Sequence, residues 1–173
     1  MKASDLYPAI FKRKSFHLFR DLGREPISLE ERQAIEDAYR QFSALCPDIR
    51  TAIRIVLEAE TTCKRGAEYC ILLYSEKKEH YLQNIGYLGE QLDLYLARKN
   101  IGTLWYGVGK TAESRYENLD FVIMLAVAKV GDETKFRRKP EYVEKQAKAH
   151  RGDLVWRNHE GNYGYRPICS QRL

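Results

Sequence analysis

The stretch EHYLQNIGYLGEQLDLYLARKN, residues 79–100, carries the strongest helix signal in the chain. Its apolar residues recur every three or four positions, and further apolar side chains widen the face that they form. The apolar positions are Tyr81, Ile85, Leu88, Leu92, Leu94, Tyr95 and Leu96. Because so broad an apolar surface needs partners on more than one side, the pattern predicts a long buried helix.

Two glycines lie inside this predicted helix, Gly86 and Gly89. Each costs helix stability by about 1 kcal/mol relative to alanine. A close helix contact, such as one across a subunit interface, would explain them. Glycines that are tolerated without a role would explain them equally well, and the sequence leaves both alternatives open.

Upstream of this helix the periodicity predicts one more helix and two strands. SLEERQAIEDAYRQFSAL, residues 28–45, begins with a capping box, in which Ser28 caps the first turn and Glu31 reaches back to it. TAIRIVLEAE, residues 51–60, alternates apolar and polar residues as a strand does, and EYCILLYSE, residues 68–76, is a more continuously apolar strand.

Downstream, LDFVIMLAVAKVG, residues 119–131, predicts a third buried strand, whereas the last thirty residues are irregular. The order of elements is therefore helix, strand, strand, long helix and strand. This order predicts an α+β domain, with the sheet against one central helix, rather than a doubly wound parallel sheet. A length of 173 residues is consistent with a single domain, residues 1–173.

Composition and charge limit the function classes. The four cysteines form no C-x-x-C pair, and neither a secretory leader nor a bilayer-length apolar run is present, so we expect a cytoplasmic protein without membrane contact. The net charge of +5 suggests an anionic partner. Basic residues cluster in FKRKS, residues 11–15, and KFRRK, residues 135–139, which either converge on one phosphate or form solvated surface.

A glycine-containing stretch, GTLWYGVGKTA at residues 102–112, resembles a phosphate loop only superficially. A Walker A motif needs a glycine at position 104, where the chain has leucine. The looser dinucleotide pattern through Gly107, Gly109 and Ala112 requires a strand before it and a helix after it, and the residues before it look helical. The sequence therefore argues against both phosphate-loop interpretations.

Side-chain catalysis finds no support in the sequence. No G-x-S-x-G or H-E-x-x-H motif occurs, and the four histidines are scattered. By elimination, any catalysis would depend on a cofactor that carries its own chemistry. Two basic clusters for a phosphate and an aromatic, glycine-containing loop for a planar ring would suit flavin mononucleotide (FMN).

Three segments resemble the nitroreductase family in their order and spacing: AIFKRKSFHLF at residues 9–19, YLQNIGYLGEQLDLYLARKNIGTLWYG at residues 81–107, and KFRRKP at residues 135–140. The similarity spans roughly residues 7–140 and is greatest to the branch with an Asn-x-Gly, leucine-rich helix followed by a tryptophan and glycine loop. It implies a nitroreductase-like fold, with a mixed central sheet packed around the long helix. It also implies a homodimer with flavin sites at the interface.

The resemblance assigns cofactor-binding residues. Arg13, Lys14, Ser15 and His17 would face the flavin phosphate, the ribityl chain or the pyrimidine edge of the ring, and Arg138, together with Arg137, would reach the same phosphate. The family usually has arginine or lysine at position 17, so the histidine implies a weaker or pH-dependent contact.

The resemblance also gives the glycine loop a role. The flavin wall would consist of Trp105, Tyr106, Gly107 and Val108, where glycine lets the main chain approach a flat ring and main-chain N–H groups stabilise charge near N5. The alternative is that the two aromatic residues belong to the core.

The resemblance implies two-step hydride transfer, from NAD(P)H to FMN and on to a nitroaromatic or quinone-like acceptor. Two segments depart from the resemblance. SALCPDIRTAIRIV, residues 43–56, stands where many members carry asparagine, glutamine, proline and tryptophan, and residues 141–173 are not placed by the resemblance. A non-catalytic flavin-binding or sensing protein on the same fold is the alternative. A small nucleic-acid-binding module is disfavoured because neither an RNP-like aromatic pair nor a basic recognition helix is present.

Overall fold

The computed structural model describes residues 6–23 and 25–136, together with the backbone of residues 155–157 and 163–165. The chain divides into two compact units, Met1–Arg137 and Arg138–Leu173. In the second unit the described residues form two short antiparallel strands, β6 (Val155–Arg157) and β7 (Tyr163–Tyr165). The extent of a single domain over residues 1–173 stays a prediction.

Three helices form in the first unit: α1 (Tyr7–Lys12), α2 (Leu29–Arg40) and α3 (Tyr81–Arg98). The predicted capping box of α2 is confirmed, because Ser28 Oγ accepts a hydrogen bond from the Glu31 amide at 3.2 Å and Glu31 Oε2 accepts one from the Ser28 amide at 2.9 Å. The long helix predicted from periodicity is α3. The short helix α1 falls in the segment that the sequence marked only as basic.

The sheet consists of β1 (Thr51–Leu57), β2 (Tyr69–Ser75), β3 (Ile101–Tyr106), the two-residue β4 (Arg115–Tyr116) and β5 (Leu119–Lys129). Its strand order is β1-β2-β5-β3, with β4 paired to β5, and each of these pairings is antiparallel. The sequence resemblance predicts a mixed sheet. Within the described residues, parallel pairing is limited to one bridge, between Ser15 and Thr103.

The prediction of a loop over residues 102–112 is wrong in its first half, because β3 continues to Tyr106 and the loop begins at Gly107. The helical appearance of the preceding residues ends with α3 at Arg98, and the chain enters β3 within three residues. The loop leads into β4 rather than into a helix, so neither phosphate-loop context exists here.

The sheet is covered on both faces, because successive side chains of a strand point to opposite sides. On one face Ile71, Leu73, Leu125 and Val127 pack against apolar residues of α2 and α3. On the other face alternate residues of β2 and β5 pack against the N-terminal segment. These are Cys70, Leu72, Tyr74, Met124, Ala126 and Ala128, against Phe16, Phe19 and Leu22. The α+β prediction with a sheet against a long helix is therefore confirmed.

Among the described residues, no helix is long and apolar enough to cross a membrane, and no group of side chains forms a candidate metal site. Cys46, Cys63 and Cys70 are free thiols, and burial raises the pKa of Cys63 to about 12. A thiol with so high a pKa is inert at neutral pH.

The Glu76 carboxylate after β2 binds Arg50, the residue before β1. We expect the free energy of unfolding of the Glu76→Gln variant to change less with pH in the acid range than that of the wild type. Arg50 donates to Glu76 from its side chain at 2.8 Å and from its backbone at 3.1 Å, and Lys78 lies 3.0 Å away. These contacts lower the pKa of Glu76 from 4.5 to about 2. A lowered folded-state pKa stabilises the protein above the unfolded-state value and ceases to do so as pH falls toward 2.

Urea unfolding of Glu76→Gln and wild type at several pH values checks this expectation. The wild type should be the more stable protein at pH 7, and the difference should shrink between about pH 4.5 and pH 2. Glu79→Gln is the control, because the Glu79 side chain is 87% exposed and its substitution removes the same charge. A difference between wild type and Glu76→Gln that stays constant down to pH 2 would contradict the assignment.

Candidate functional site

The predicted phosphate-binding segment lies beside β3. The Phe16 amide donates to the Thr103 carbonyl at 2.8 Å, and Ser15 pairs with Thr103 in the parallel bridge. Gly102 permits this approach, because a Cβ there would lie 2.8 Å from the Phe16 ring. The sequence therefore folds Arg13, Lys14 and Ser15 against the first half of β3.

A fully buried carboxylate, Asp93 of α3, connects this segment to β3. Its Oδ2 accepts hydrogen bonds from Arg13 Nε at 2.9 Å and Nη2 at 2.7 Å, and from the Trp105 indole N–H at 2.9 Å. Its Oδ1 accepts from the Thr103 hydroxyl at 2.5 Å. Asp93 is therefore the hub of a network that joins the end of α1, helix α3 and strand β3.

Two acidic side chains of α3, Asp93 and Glu90, act on Arg13. Burial alone lowers the pKa of its guanidinium, but the hydrogen bonds and charge of Asp93, with the charge of Glu90, outweigh burial and raise the pKa. The pKa of Glu90, one helical turn before Asp93, is raised by burial and by the Asp93 charge, while Arg13 opposes that shift. Arg13 therefore stays a cation at every relevant pH.

The lysines of the first basic cluster are anchored by residues after α3 and at the start of the second cluster. Lys14 Nζ donates to the Lys135 carbonyl at 2.5 Å, and Lys12 Nζ donates to Asn100 Oδ1 and lies 3.6 Å from Glu133. Lys14 therefore contacts the backbone of the first residue of the second cluster, and convergence of the two clusters on one phosphate stays a prediction. Arg137 and Arg138 lie outside the described residues, so their contact with a phosphate stays a prediction.

His17 is exposed and follows the buried Phe16. The side chains that donate to Asp93 are those of Arg13, Thr103 and Trp105, so His17 stands apart from this network. Its role at a cofactor stays a prediction.

Trp105 is turned toward the protein. Its indole packs over Gly89 of α3 and donates to Asp93, so a Cβ at position 89 would clash with the ring. This contact accounts for Gly89, and the neighbour is a strand rather than another helix. Gly86, in contrast, lies on an open face, where a Cβ would meet nothing within 4 Å.

The side chain of Tyr106 is also engaged within the protein. It packs against the core, and the Arg65 guanidinium lies 5.8 Å from the centre of its ring. The side chains of Trp105 and Tyr106 therefore pack within the protein, as the core alternative from the sequence predicts. Any contribution to a cofactor site would come from the exposed remainder of the ring or from the main chain.

The loop that starts at Gly107 is open to solvent. A Cβ at Gly107 would meet nothing within 4 Å, and Val108 is 78% exposed. Two hydrogen bonds to Thr62 anchor the loop. The Thr62 amide donates to the Lys110 carbonyl at 2.9 Å, and the Lys110 amide donates to Thr62 Oγ1 at 2.8 Å. A supported loop whose main chain is open at Gly107 is suited to contact with a flat ligand.

The basic segment lies beside the first half of β3, and the open loop follows the last residue of that strand. Ser15 pairs with Thr103, and Gly107 follows four residues further on, or roughly 13 Å along an extended strand. An elongated ligand with an anionic end and a planar end could therefore contact both. The basic segment and the loop were predicted from the sequence, but Asp93 was not, because its signal is one carboxylate inside the apolar surface of α3.

A cavity of about 370 Å³ lies elsewhere in the first unit, between α2, β1, α3 and the turn after β4. None of the predicted cofactor residues lines it. Its walls are Glu36, Tyr39, Arg40, Phe42, Ala44, Thr51, Ala52, Ile53, Leu88, Tyr116 and Glu117.

Solved structures share this fold. One from Desulfovibrio desulfuricans, described as a "putative nitroreductase in complex with fmn", is 18% identical, with a TM-score of 0.56 over 80% of this chain and 94% of that chain. A nitroreductase family protein from Clostridium difficile 630 is 14% identical, with a TM-score of 0.55 over 83% and 96%. An iodotyrosine deiodinase bound to FMN and 3-iodo-L-tyrosine is 17% identical, with a TM-score of 0.50 over 73% and 90%.

At these identities the likeness shows the fold. A comparison with curated proteins gave no match. The model of the family described as "Putative TM nitroreductase" matches residues 5–153, which is most of the chain and includes the basic segment, α3, β3 and the open loop. The chain therefore belongs to this nitroreductase family.

Proposed function

We propose that the protein is an FMN-dependent oxidoreductase that takes reducing equivalents from NAD(P)H and passes them to an electron-poor acceptor such as a nitroaromatic or a quinone. The observation that carries the proposal is the placement of Arg13, Lys14 and Ser15 beside the first half of β3 and of the open Gly107–Val108 loop directly after that strand. Two proteins of similar fold are described as bound to FMN, which supports the choice of cofactor.

The donor set at the basic end fits a phosphate. Arg13 donates to Asp93 from Nε and Nη2, which form one edge of the guanidinium. The N–H groups of Nη1 are not used in this contact. Lys14 and Ser15 would add a second cation and a hydroxyl from the same segment. A dianionic phosphate is the ligand that such a set binds best.

The open end would hold the ring. FMN, when bound, supplies the hydride chemistry, so the protein needs only to bind and orient its substrates. The main chain at Gly107 and Val108 would lie along the ring and offer N–H groups there. Hydride transfer of this kind requires no acid or base from a protein side chain.

We also propose a homodimer. Helix α1 lies against α3, and together they expose large apolar side chains: Tyr7, Ile10 and Phe11 from α1, with Leu82 and Tyr87 from α3. Gly86 lies on the same exposed part of α3. Several large exposed apolar side chains, with an exposed glycine on one of the helices that carry them, are typical of a protein interface. A second copy would cover this face and shield the cofactor.

A non-catalytic flavin-binding protein on the same fold is the second candidate. The observation that favours it is the segment 43–56, which departs from the family pattern on the substrate side. The two candidates share the cofactor and differ in turnover.

The visible absorption spectrum of the purified protein, after addition of FMN and gel filtration, tests the cofactor. We expect about one FMN to remain per chain. Oxidation of NADH or NADPH in the presence of a quinone then tests turnover. A protein that retains FMN without turnover would favour the non-catalytic candidate, and one that retains no FMN would overturn both.

A further inference from the structure

We propose that Asp93 is a positioning residue that orients the guanidinium of Arg13 toward the flavin phosphate, a role that rests on the proposed function. Asp93 is 0% exposed and reaches no solvent or ligand itself. It acts through Arg13, whose side chain is 26% exposed and thus accessible to an anion.

The geometry of the pair fixes the plane of the guanidinium. Both contacts, from Nε at 2.9 Å and Nη2 at 2.7 Å, come from one edge of the group and end on the same carboxylate oxygen. Because the guanidinium is rigid and planar, holding one edge determines the direction of the remaining N–H groups. A lysine at this position could pair with Asp93, but its ammonium group has no rigid plane that fixes the direction of its other N–H groups.

Asp93 is itself held in place by β3. The Thr103 hydroxyl binds Oδ1 and the Trp105 indole N–H binds Oδ2, and Gly89 leaves the room that the indole needs. The strand that ends at the open loop therefore also sets the position of Arg13. Both ends of the proposed flavin site share one rigid frame, which lowers the entropy cost of binding.

Pairing with Asp93 also reduces the net charge that Arg13 presents, so orientation rather than charge should determine its contribution. The substitution Asp93→Asn separates the two. Its amide oxygen can accept from Arg13 and Trp105, and its NH₂ can donate to Thr103, because a threonine hydroxyl both donates and accepts. The Asn variant therefore keeps the geometry and removes the charge, whereas Asp93→Ala removes both.

The test measures the affinities of FMN and riboflavin, which differ by the phosphate, in wild type and variants of the full chain. Fluorescence titration gives the ratio of the two dissociation constants, and a general loss of structure would weaken both ligands alike. We expect Asp93→Ala to reduce the preference for FMN by about tenfold, and Asp93→Asn to keep the wild-type preference or exceed it.

Arg13→Lys keeps the proposal testable if Asp93→Ala does not fold. It retains the positive charge and a partner for Asp93 but loses the fixed edge, so we expect it to lose the FMN preference as Asp93→Ala does. A wild-type preference in Arg13→Lys or in Asp93→Ala would overturn the positioning role, as would an Asn variant that is as impaired as the Ala variant. Wild-type protein that binds neither flavin, or binds both equally, would instead overturn the proposed function and this role with it.

Discussion

Replacing Gly89 with alanine is expected to destabilise the protein by about 1–3 kcal/mol, although alanine is the better helix former. The new Cβ would clash with the Trp105 indole and lie 3.3 Å from Leu73 Cδ2. The indole cannot move aside freely, because its N–H donates to the buried Asp93. Overpacking should therefore exceed the gain in helix propensity, and urea unfolding measures the balance.

Gly86→Ala is the matched control, since it lies three residues away on the same helix and its Cβ would meet nothing within 4 Å. At low protein concentration we expect it to stabilise the protein by about 1 kcal/mol. If a second copy covers this face as proposed, the gain should diminish at concentrations where the dimer forms. A gain that is independent of concentration would count against the dimer.

The clash itself is tested by Trp105→Phe, which removes the outer ring of the indole. In that background Gly89→Ala should cost less than it does in the wild type, because the smaller ring leaves room for a methyl group. Equal costs in both backgrounds would show that the Trp105 contact is not the reason for the glycine.

Much of the fold follows from local patterns in the sequence. The capping box of Ser28 and Glu31 marks the start of α2, and the apolar surface of α3 and the runs that form β1, β2 and β5 are long enough to show their periods. These elements carry their own signal because each buries a face that is continuous in sequence.

Strand β3 could not be predicted in the same way. GTLWYG is short, is bounded by glycines, and alternates weakly. It is a strand because it pairs with β5 from Ile101–Lys129 to Tyr106–Met124, a contact between residues distant in sequence. The pairing in turn shortens the predicted loop to the residues after Tyr106.

The candidate site was predictable only in part. The basic segment and the glycine loop carry a recognisable pattern, but nothing local reveals that Asp93 joins the basic segment to β3, since Arg13 is 80 residues away from it in sequence. The direction of the Trp105 ring depends on the same carboxylate and on Gly89. Tertiary contacts, rather than residue type, decide which side chains can face a ligand.

Replacing Arg13 with alanine is expected to have two large and separable effects. It leaves the carboxylate of Asp93 buried without a cation, which should cost about 3 kcal/mol of folding stability. It also removes charge-assisted hydrogen bonds to the phosphate, worth about 1.5–3 kcal/mol, so FMN affinity should fall roughly tenfold to a hundredfold. Riboflavin affinity should change little.

The double variant Arg13→Ala with Asp93→Asn separates these effects, because neutralising position 93 removes the unpaired charge without restoring a phosphate donor. We expect it to recover most of the stability measured by urea unfolding and none of the preference for FMN over riboflavin. Arg40→Ala is the charge control, since Arg40 is exposed on α2 and pairs with Asp37 at 2.7 Å. Recovery of the FMN preference in the double variant would place the phosphate elsewhere, whereas a stability that stays low would mean that Arg13 supports the fold by packing rather than by charge.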